Sequence, residues 1–562
     1  MVKLGFIIAL YGGLMACSSW TCDRFALPKI LLMALGTMLL WGGLFAQALK
    51  GSVRPRPIWL DFIFVVMSAM LIFSSIFSID LPLSILGPYL IPTFGVLQIL
   101  LLMVYAYGLA WGAHEVPDES LFPILVGASV ILAGFAVAEG LGLLHVTFGQ
   151  FYTPKDVLRA SSLVGNPIFL STTLAALLPA SLHQIKYPGW RFILSFCAIT
   201  LSLVALYFTH SRGGVLAFGC AGAVYFGLRY GMDWKKWAAA GAVAILLSSV
   251  LAFCYRKPGS DSIRTQTWAI ALQSWQQSPL YGSGPNTFGL KFRQNKTDQI
   301  VKDMESSRRV HSFAHNDFLH IGATMGSIGV GVYFCILLLV FLMVKNTLTE
   351  NRETGAVVGA SLATVFLVVK FNPISLPELL IVFSMLGVAA RQAGTLWPQT
   401  QRRASSFAGA SFLVSGLLFC LTAQRVVADH HHLRGIQLTN GGDVRAGSRE
   451  FGEAAKLMPW EQKYTRAHIV SLFKLPAHAK NRDEALSIME TMLIDSQKMA
   501  ARHPNNAAAH HTYARAMAMT YLYLQNDALG FAQVSIERAY ALAPKFKPII
   551  EFRKELRGLN GA

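Results

Sequence analysis

The chain has 562 residues, of which 54% are hydrophobic and 14% are charged, and its mean hydropathy is +0.46. This composition excludes an ordinary soluble protein, and the length excludes a protein that crosses a membrane only once. The formal charge of +18 does not indicate nucleic-acid binding, because many basic residues lie in loops between apolar segments, where they set topology and meet anionic lipid headgroups.

The apolar segments predict an all-α, polytopic membrane protein with about thirteen spans. A transmembrane helix needs about 20 apolar residues, and in lipid only a helix or a closed barrel satisfies every backbone polar group. The first segment lacks the strongly basic start and clear cleavage site of a signal peptide, so we expect it to remain as an anchor. The predicted spans are 3–21, 27–48, 58–78, 89–111, 121–144, 167–185, 191–208, 213–230, 237–255, 318–344, 355–370, 376–390 and 406–424.

Basic residues predict the orientation, since lysine and arginine concentrate in cytoplasmic loops and here follow every even-numbered span except the fourth. We therefore expect a cytoplasmic N-terminus. The odd number of spans then places the loop 256–317 and the residues after 425 on the periplasmic side of a bacterial inner membrane. The basic residues concerned are Lys50, Arg54, Arg56, Lys186, Arg191, Arg229, Lys235, Lys236, Lys345, Arg352, Arg391, Arg402 and Arg403.

Arg212 lies in a very short connection, residues 209–214, between the seventh and eighth predicted spans. An arginine at the bilayer centre costs about 2.5–3.5 kcal/mol on insertion scales, so its side chain should lie at the interface or face a polar cavity. Snorkelling toward the headgroups and ligand binding both remain open.

The loop 256–317 concentrates arginines and histidines, among them Arg264, Arg309, His311 and His315. Arginine pairs bidentately with phosphate oxygens, and a neutral imidazole accepts a proton from a hydroxyl near neutral pH. Glycines in a turn-rich stretch, at 282 and 284, allow backbone N–H groups to approach such oxygens. The loop therefore predicts an anionic substrate.

Neither a metal nor a cofactor is predicted. His311 and His315 have the spacing of two ligands on one helix turn, but no glutamate lies between them as in a metalloprotease. The histidine runs 430–432 and 510–511 have no carboxylate or cysteine at ligand spacing. The glycine-rich motifs of nucleotide sites are also missing from the sequence, so the energy for a reaction should come from an activated donor.

Residues 430–562 differ in composition from the preceding membrane domain, 1–425, and predict a separate helical domain. Segments 449–459 and 534–544 both resemble the second helix of a tetratricopeptide repeat, and 511–521 suits a matching first helix. Such hairpins usually bind peptides or partner proteins. A structural cap on the membrane domain is an equally open reading.

Four motifs carry a family resemblance: 159–167 (Arg-Ala-Ser-Ser-Leu-Val-Gly-Asn-Pro), 211–214 (Ser-Arg-Gly-Gly), Arg264 followed by Trp268 and 279–284, and 315–319 (His-Asn-Asp-Phe-Leu). In these motifs the chain resembles, over roughly 60–390, the O-antigen ligase and polymerase family of bacterial membrane glycosyltransferases, which includes protein O-oligosaccharyltransferases. The resemblance implies a GT-C-type fold. It also implies transfer of a glycan from undecaprenyl diphosphate to a hydroxyl acceptor, without a metal ion or nucleotide sugar.

The resemblance also implies roles for individual residues. His315 would position or deprotonate the acceptor, and the acceptor is the lipid A core, a protein or the end of another glycan. The diphosphate group would be held by Arg212 and Arg264, with Arg159 and Arg309 as further candidates. The supporting residues are His311, Asn316, Asp317, Gly282 and Gly284.

Three alternatives remain. A polymerase of the same family is one, because repeat-bearing C-terminal domains also occur there. A polytopic transporter is another, although it should carry charges midway along broken spans in two related halves, and Glu139 is the clear acidic residue deep in a predicted span. A membrane-anchored scaffold would leave the arginines and histidines of the large loop without a purpose.

Overall fold

The elements of the chain are almost entirely helical. The computed structural model describes residues 1–52, 56–89, 95–144, 159–231, 260–393, 396–397, 400–524 and 528–559. In these ranges it has 22 α-helices, two short 3-10 helices (Ser162–Val164 and Pro476–His478) and two short strands, Arg56–Pro57 (β1) and Leu396–Trp397 (β2), which pair antiparallel. The predicted all-α fold is confirmed.

The first group comprises the helices of the apolar part of the molecule and the three helices of the loop 256–317. Its members are α1 (Val2–Met15), α2 (Ala26–Leu49), α3 (Ile58–Ile76), α4 (Leu81–Leu86), α5 (Val96–Trp111), α6 (Asp118–Gly140), α7 (Pro167–Gln184), α8 (Trp190–Thr209), α9 (Arg212–Tyr230), α10 (Ser260–Gln277), α11 (Phe288–Gln294), α12 (Asp298–Asp303), α13 (Asp317–Glu350), α14 (Arg352–Val368) and α15 (Leu376–Gln392).

The remaining helices are more polar. They are α16 (Gln401–Asn440), α17 (Val444–Leu457), α18 (Gln462–Leu472), α19 (Arg482–Arg502), α20 (Ala507–Leu524), α21 (Ala528–Leu542) and α22 (Lys547–Leu559). Helix α16 runs unbroken through the predicted domain boundary near 425–430. It therefore belongs to both the apolar part and the C-terminal domain.

Six of the described helices are long and apolar enough to cross a membrane: α2, α3, α6, α8, α13 and α16. Helices α1 and α5 are apolar but shorter, with 14 and 16 residues. Predicted span 237–255, and residues 90–94 of span 89–111, lie outside the described residues. The helices support a multi-pass membrane protein, and the count of thirteen spans stays a prediction.

One end of the helical bundle collects basic side chains and their partners. Glu353, at the start of α14, pairs with Lys186 after α7 and lies 3.5 Å from Arg229 near the end of α9. Helices α9 and α14 therefore have their other ends, at Arg212 and before Asn372, away from this basic cluster. That opposite end carries most of the predicted site residues.

The C-terminal domain is bound to the apolar part through buried polar contacts. Asp429 of α16 accepts hydrogen bonds from the Asp23 N–H at 2.8 Å and from the Tyr464 hydroxyl at 3.0 Å. His503 Nδ1 lies 2.9 Å from Asp80 Oδ2, and both side chains are buried. Because buried polar groups need partners and these contacts join residues of both parts, they fix the position of the domain.

Candidate active site

The N-terminus of α9 carries Arg212. Ser211 caps this helix, since its Oγ accepts hydrogen bonds from the Gly214 N–H at 3.2 Å and from Ser171 Oγ at 2.9 Å. His210 has φ +47°, which turns the chain sharply between α8 and α9. The half-buried guanidinium adds its charge to the partial positive charge of a helix N-terminus, and both favour an anion.

Arg159 supports the same turn. Its Nε donates to the Thr209 carbonyl at 2.8 Å, and its Nη2 donates to the His210 carbonyl at 3.4 Å. These carbonyls end α8 and have no partner within the helix. Arg159 therefore lies beside the Arg212 segment, with its guanidinium engaged in shaping the turn.

Asn372 lies between Arg264 and the N-terminal end of α9. Arg264 on α10 donates from Nη2 to Asn372 Oδ1 at 3.3 Å. A Cβ added to Gly213, the residue after Arg212, would lie 3.4 Å from Asn372 Nδ2. The start of α9 and Arg264 thus meet at one buried amide. Sequence reasoning missed Asn372, although an Asn-Pro pair between two apolar spans was a signal for it.

His311 and His315 lie together beside α10. Their ring centroids are 4.9 Å apart, and His311 Nδ1 is 3.1 Å from Thr267 Oγ1. His315 has φ +56°, which is uncommon for a residue other than glycine. Its buried Nδ1 has no hydrogen-bond partner among the described residues. Backbone strain together with an unsatisfied ring nitrogen favours a functional role over a packing role.

Both histidines are neutral at pH 7. Burial, and then the positive charges of Lys296 and Arg264, lowers the pKa of His311 to about 4. Burial, followed by His311, Arg264 and His320, lowers the pKa of His315 to about 3. Each imidazole therefore keeps a lone pair that accepts a hydrogen bond or a proton. An anion bound beside Arg264 would raise these pKa values.

The next two residues anchor the histidine segment to the connection after α14. Asn316 caps α13 by accepting from the Leu319 N–H at 3.0 Å, and it donates to the Lys370 carbonyl at 3.3 Å. Lys370 Nζ lies 2.9 Å and 2.7 Å from the two carboxylate oxygens of Asp317, which also accepts from the Tyr333 hydroxyl. This network fixes the segment that carries His315 against the connection that carries Asn372.

Gly282 and Gly284 pack against the protein itself. Gly282 has φ +67°, and a Cβ there would lie 2.2 Å from the Thr324 carbonyl carbon. Gly284 has φ +105°, and a Cβ there would lie 2.2 Å from Ser78 Oγ. Their N–H groups donate to the carbonyls of Ser278 at 3.0 Å and Thr324 at 2.7 Å. Helix α13 bends at Gly326, where φ is +68°, and both glycines let the 279–284 turn pack into this bend. Contact of the two glycines with phosphate stays a prediction.

Arg309 has an exposed side chain, while its carbonyl accepts a hydrogen bond from Lys296 Nζ at 2.8 Å. The same buried ammonium also donates to the Ser306 and Ser307 carbonyls, at 3.2 Å and 3.3 Å. Burial, followed by the charge of Arg293, lowers the pKa of Lys296 to about 8. Lys296 thus holds the loop that leads to His311, and the role of Arg309 toward phosphate stays a prediction.

The charges around the histidines suit an anion better than a metal ion. Arg264 and Lys296 are their charged neighbours. In the part of the chain that the structure describes, no three His, Cys, Asp or Glu side chains gather where they could hold a metal. The arrangement can bind a phosphate group through guanidinium donors and accept a proton on a neutral imidazole.

Comparison with known proteins finds a family match in the central part of the chain. The family model described as O-antigen ligase matches residues 197–334. The match includes Arg212, Arg264, His311 and His315, whereas Asn372 lies outside it. No curated protein matches the chain. The family resemblance stated from the sequence motifs is confirmed, and the match covers 197–334 of the roughly 60–390 over which it was stated.

Proposed function

We propose that this chain, which carries an O-antigen ligase domain over residues 197–334, moves a glycan from undecaprenyl diphosphate to a hydroxyl acceptor. The observation that carries the proposal is the meeting of Arg264 and the α9 N-terminus at Asn372, beside His311 and His315. Guanidinium donors suit a diphosphate leaving group, and a neutral imidazole suits a hydroxyl nucleophile.

The residues divide the reaction between them. Arg212 and Arg264 bind the diphosphate, and Arg159 and Arg309 add positive charge from the surrounding loops. The acceptor oxygen attacks the anomeric carbon while its proton passes to His315. The bond from that carbon to the phosphate oxygen breaks, and undecaprenyl diphosphate leaves with the electron pair. The bound diphosphate raises the pKa of His315 because it offsets the positive charge of Arg264.

Reconstitution with purified components identifies the acceptor. The purified chain is mixed with an undecaprenyl-diphosphate-linked glycan and, in turn, with lipid A core, a pilin-like protein or a free glycan end. We expect glycosylation of one acceptor with stoichiometric release of undecaprenyl diphosphate. Extension of the glycan end alone would identify a polymerase, and no transfer to any acceptor would contradict the proposal.

The proposed orientation puts this chemistry on the periplasmic side. It is supported by the basic cluster around Glu353, at the bundle end away from Arg212 and Asn372, because basic loops stay in the cytoplasm. A reporter fused after Gly282 or Gly441 should report the periplasm, and one inserted between 229 and 237 should report the cytoplasm. A cytoplasmic signal after Gly282 would contradict the orientation.

A further inference from the structure

A cavity of about 520 Å³ lies between the C-terminal domain and the large loop. Its walls come from α4 and the residues after it, from α11, from the segment 310–312, from α18 and from the start of α20. This volume falls within the usual range of small-molecule sites, about 300–1,000 Å³. Val310 and Ser312 line the cavity, whereas His311, the residue between them, contacts Thr267. The segment 310–312 therefore separates the cavity from the candidate active site.

Two arginines on the cavity wall have no anionic partner. Arg293 on α11 and Arg466 on α18 approach the cavity from the two domains. Within the described residues neither guanidinium has a hydrogen bond or ion pair, and the charge beside each belongs to another arginine: Arg466 beside Arg293, and Arg515 beside Arg466. Burial, followed by Arg466, lowers the pKa of Arg293. Like charges held together in a partly buried site favour a bound anion.

The acidic residues of the cavity already have partners of their own. Asp80 lies 2.9 Å from His503 Nδ1, and Glu461 lies 2.7 Å from Arg425 Nη2. Lys463, the lysine on the cavity wall, has its Nζ 3.5 Å from the centroid of the Tyr89 ring. Neither carboxylate is therefore paired with Arg293 or Arg466.

A buried amide on the same wall lacks its hydrogen bonds. Asn286 is 3% exposed, and neither its Oδ1 nor its Nδ2 has a partner among the described residues. Leaving a buried donor and acceptor unsatisfied costs free energy, so this amide is available to bond a ligand in the cavity. Hydroxyl groups match it, because each both donates and accepts.

We propose that this cavity is a second binding site, specific for an acidic saccharide. The hydroxyls of the sugar pair with Asn286, and its carboxylate pairs with Arg293 and Arg466 through charge-assisted hydrogen bonds. The binding site stands on these contacts alone. That the saccharide belongs to the glycan substrate, held next to the active site across the segment 310–312, rests on the proposed function.

Calorimetric titration of the purified full-length chain, without any lipid-linked donor, tests the site. The probes are a hyaluronan tetrasaccharide, which carries glucuronate, the neutral chitotetraose and inorganic phosphate. We expect the acidic tetrasaccharide to bind at least about tenfold more tightly than the neutral one, as for hydrogen bonds to charged groups. Arg293→Gln and Arg466→Gln should each weaken its binding by about tenfold.

Two further variants sharpen the test. Asn286 has φ +61°, and Asn286→Gly removes the amide while tolerating this backbone, so it should weaken binding without unfolding the chain. Arg482→Gln makes the same charge change at an exposed position of the C-terminal domain and should leave binding unchanged. Thermal unfolding should not occur earlier in Arg293→Gln, because that change relieves repulsion from Arg466.

The proposal is overturned if the two tetrasaccharides bind equally or if the acidic tetrasaccharide does not bind. It is also overturned if phosphate binds as tightly as the acidic tetrasaccharide, or if both arginine variants bind like the wild type. Because no donor is present, loss of transfer with intact saccharide binding would count against the proposed function alone.

Discussion

The two halves of the segment 311–317 differ in how their polar groups are satisfied. Asp317 lies in a closed network with Lys370 and Tyr333, and Asn316 caps α13. In the first half His315 has a left-handed backbone, and its Nδ1 has no partner among the described residues. Neighbouring polar residues therefore separate into those that anchor the segment and those that remain available to a substrate.

The contacts of Asn316 and Asp317 stabilise the unfavourable backbone conformation of His315. A non-glycine residue at positive φ costs about 1–3 kcal/mol and persists only when its surroundings fix it. The Asn316 and Asp317 contacts begin immediately after His315 and hold the chain against residues 369–370. Changes in the two halves should thus have different consequences, one for transfer and the other for stability.

The largest effect should come from His315→Asn. Asparagine tolerates the left-handed backbone but is not a base, so transfer should fall by about 10²–10⁴-fold while thermal unfolding stays within a few degrees of the wild type. The measurement is the transfer rate of purified protein at saturating donor. His478→Asn, at an exposed position of the C-terminal domain, is the matched control and should transfer normally. Wild-type rates in His315→Asn would remove the proton-acceptor assignment.

The next effect should come from Arg212→Lys and Arg264→Lys. Lysine keeps the charge but loses the planar pair of donors, so transfer at low donor concentration should fall by about tenfold or more. The loss is measured from transfer rates over a range of donor concentrations, at matched protein levels. If either arginine only reached toward lipid headgroups, its replacement by lysine would leave transfer unchanged. Unchanged donor dependence in both variants would contradict the phosphate assignment.

Asp317→Asn tests the anchoring half. It leaves the Lys370 ammonium and the Tyr333 hydroxyl without their charged acceptor and should lower the free energy of unfolding by about 2 kcal/mol. Transfer per folded molecule should fall less than in His315→Asn. Adding Lys370→Met should restore part of the stability, because no half-buried charge is then unpaired. Full stability with abolished transfer in Asp317→Asn would place this carboxylate in the chemistry instead.

The smallest effect concerns pH. The folded-state pKa values of His311 and His315, about 4 and about 3, lie below the usual 6.5. Between these values the unfolded chain binds more protons, so folding stability should fall as the pH drops below about 6.5. Unfolding midpoints measured from pH 7.5 to 4.5 should decline less steeply in a His311→Asn, His315→Asn double variant. Identical slopes would show that these histidines are not buried in neutral form.

Residue type could indicate which side chains belong to the candidate site, but not which connections of the fold meet there. Arg264, His311 and His315 were identified from residue type, and the structure brings them together. Asn372 and Lys370 were missed because they lie in another connection, more than fifty residues along the chain, and periodicity does not show which helix ends meet. Polar residues in a short connection between apolar spans were their only signal.

The fold also combines features that the local sequence predicts with features that depend on distant contacts. Runs of apolar residues predicted the helices of the apolar part because spanning a bilayer imposes a length and a composition. The bend of α13 at Gly326, where φ is +68°, depends on the 279–284 turn that packs into it. Where α16 continues into the C-terminal domain, Asp429 on it contacts Tyr464, which lies 35 residues along the chain. Neither contact is local, so neither could be read from the pattern.

Binding of undecaprenyl diphosphate, the leaving group, tests the central claim most directly, because it separates holding the diphosphate from proton transfer. Affinity is measured in lipid nanodiscs for the wild type, Arg212→Lys, Arg264→Lys and His315→Asn. The two arginine variants should bind the diphosphate at least about tenfold more weakly, whereas His315→Asn should bind it like the wild type although its transfer rate is strongly reduced. Equal binding by all four proteins, or a loss confined to His315→Asn, would contradict a site in which α9 and α10 hold the diphosphate beside His315.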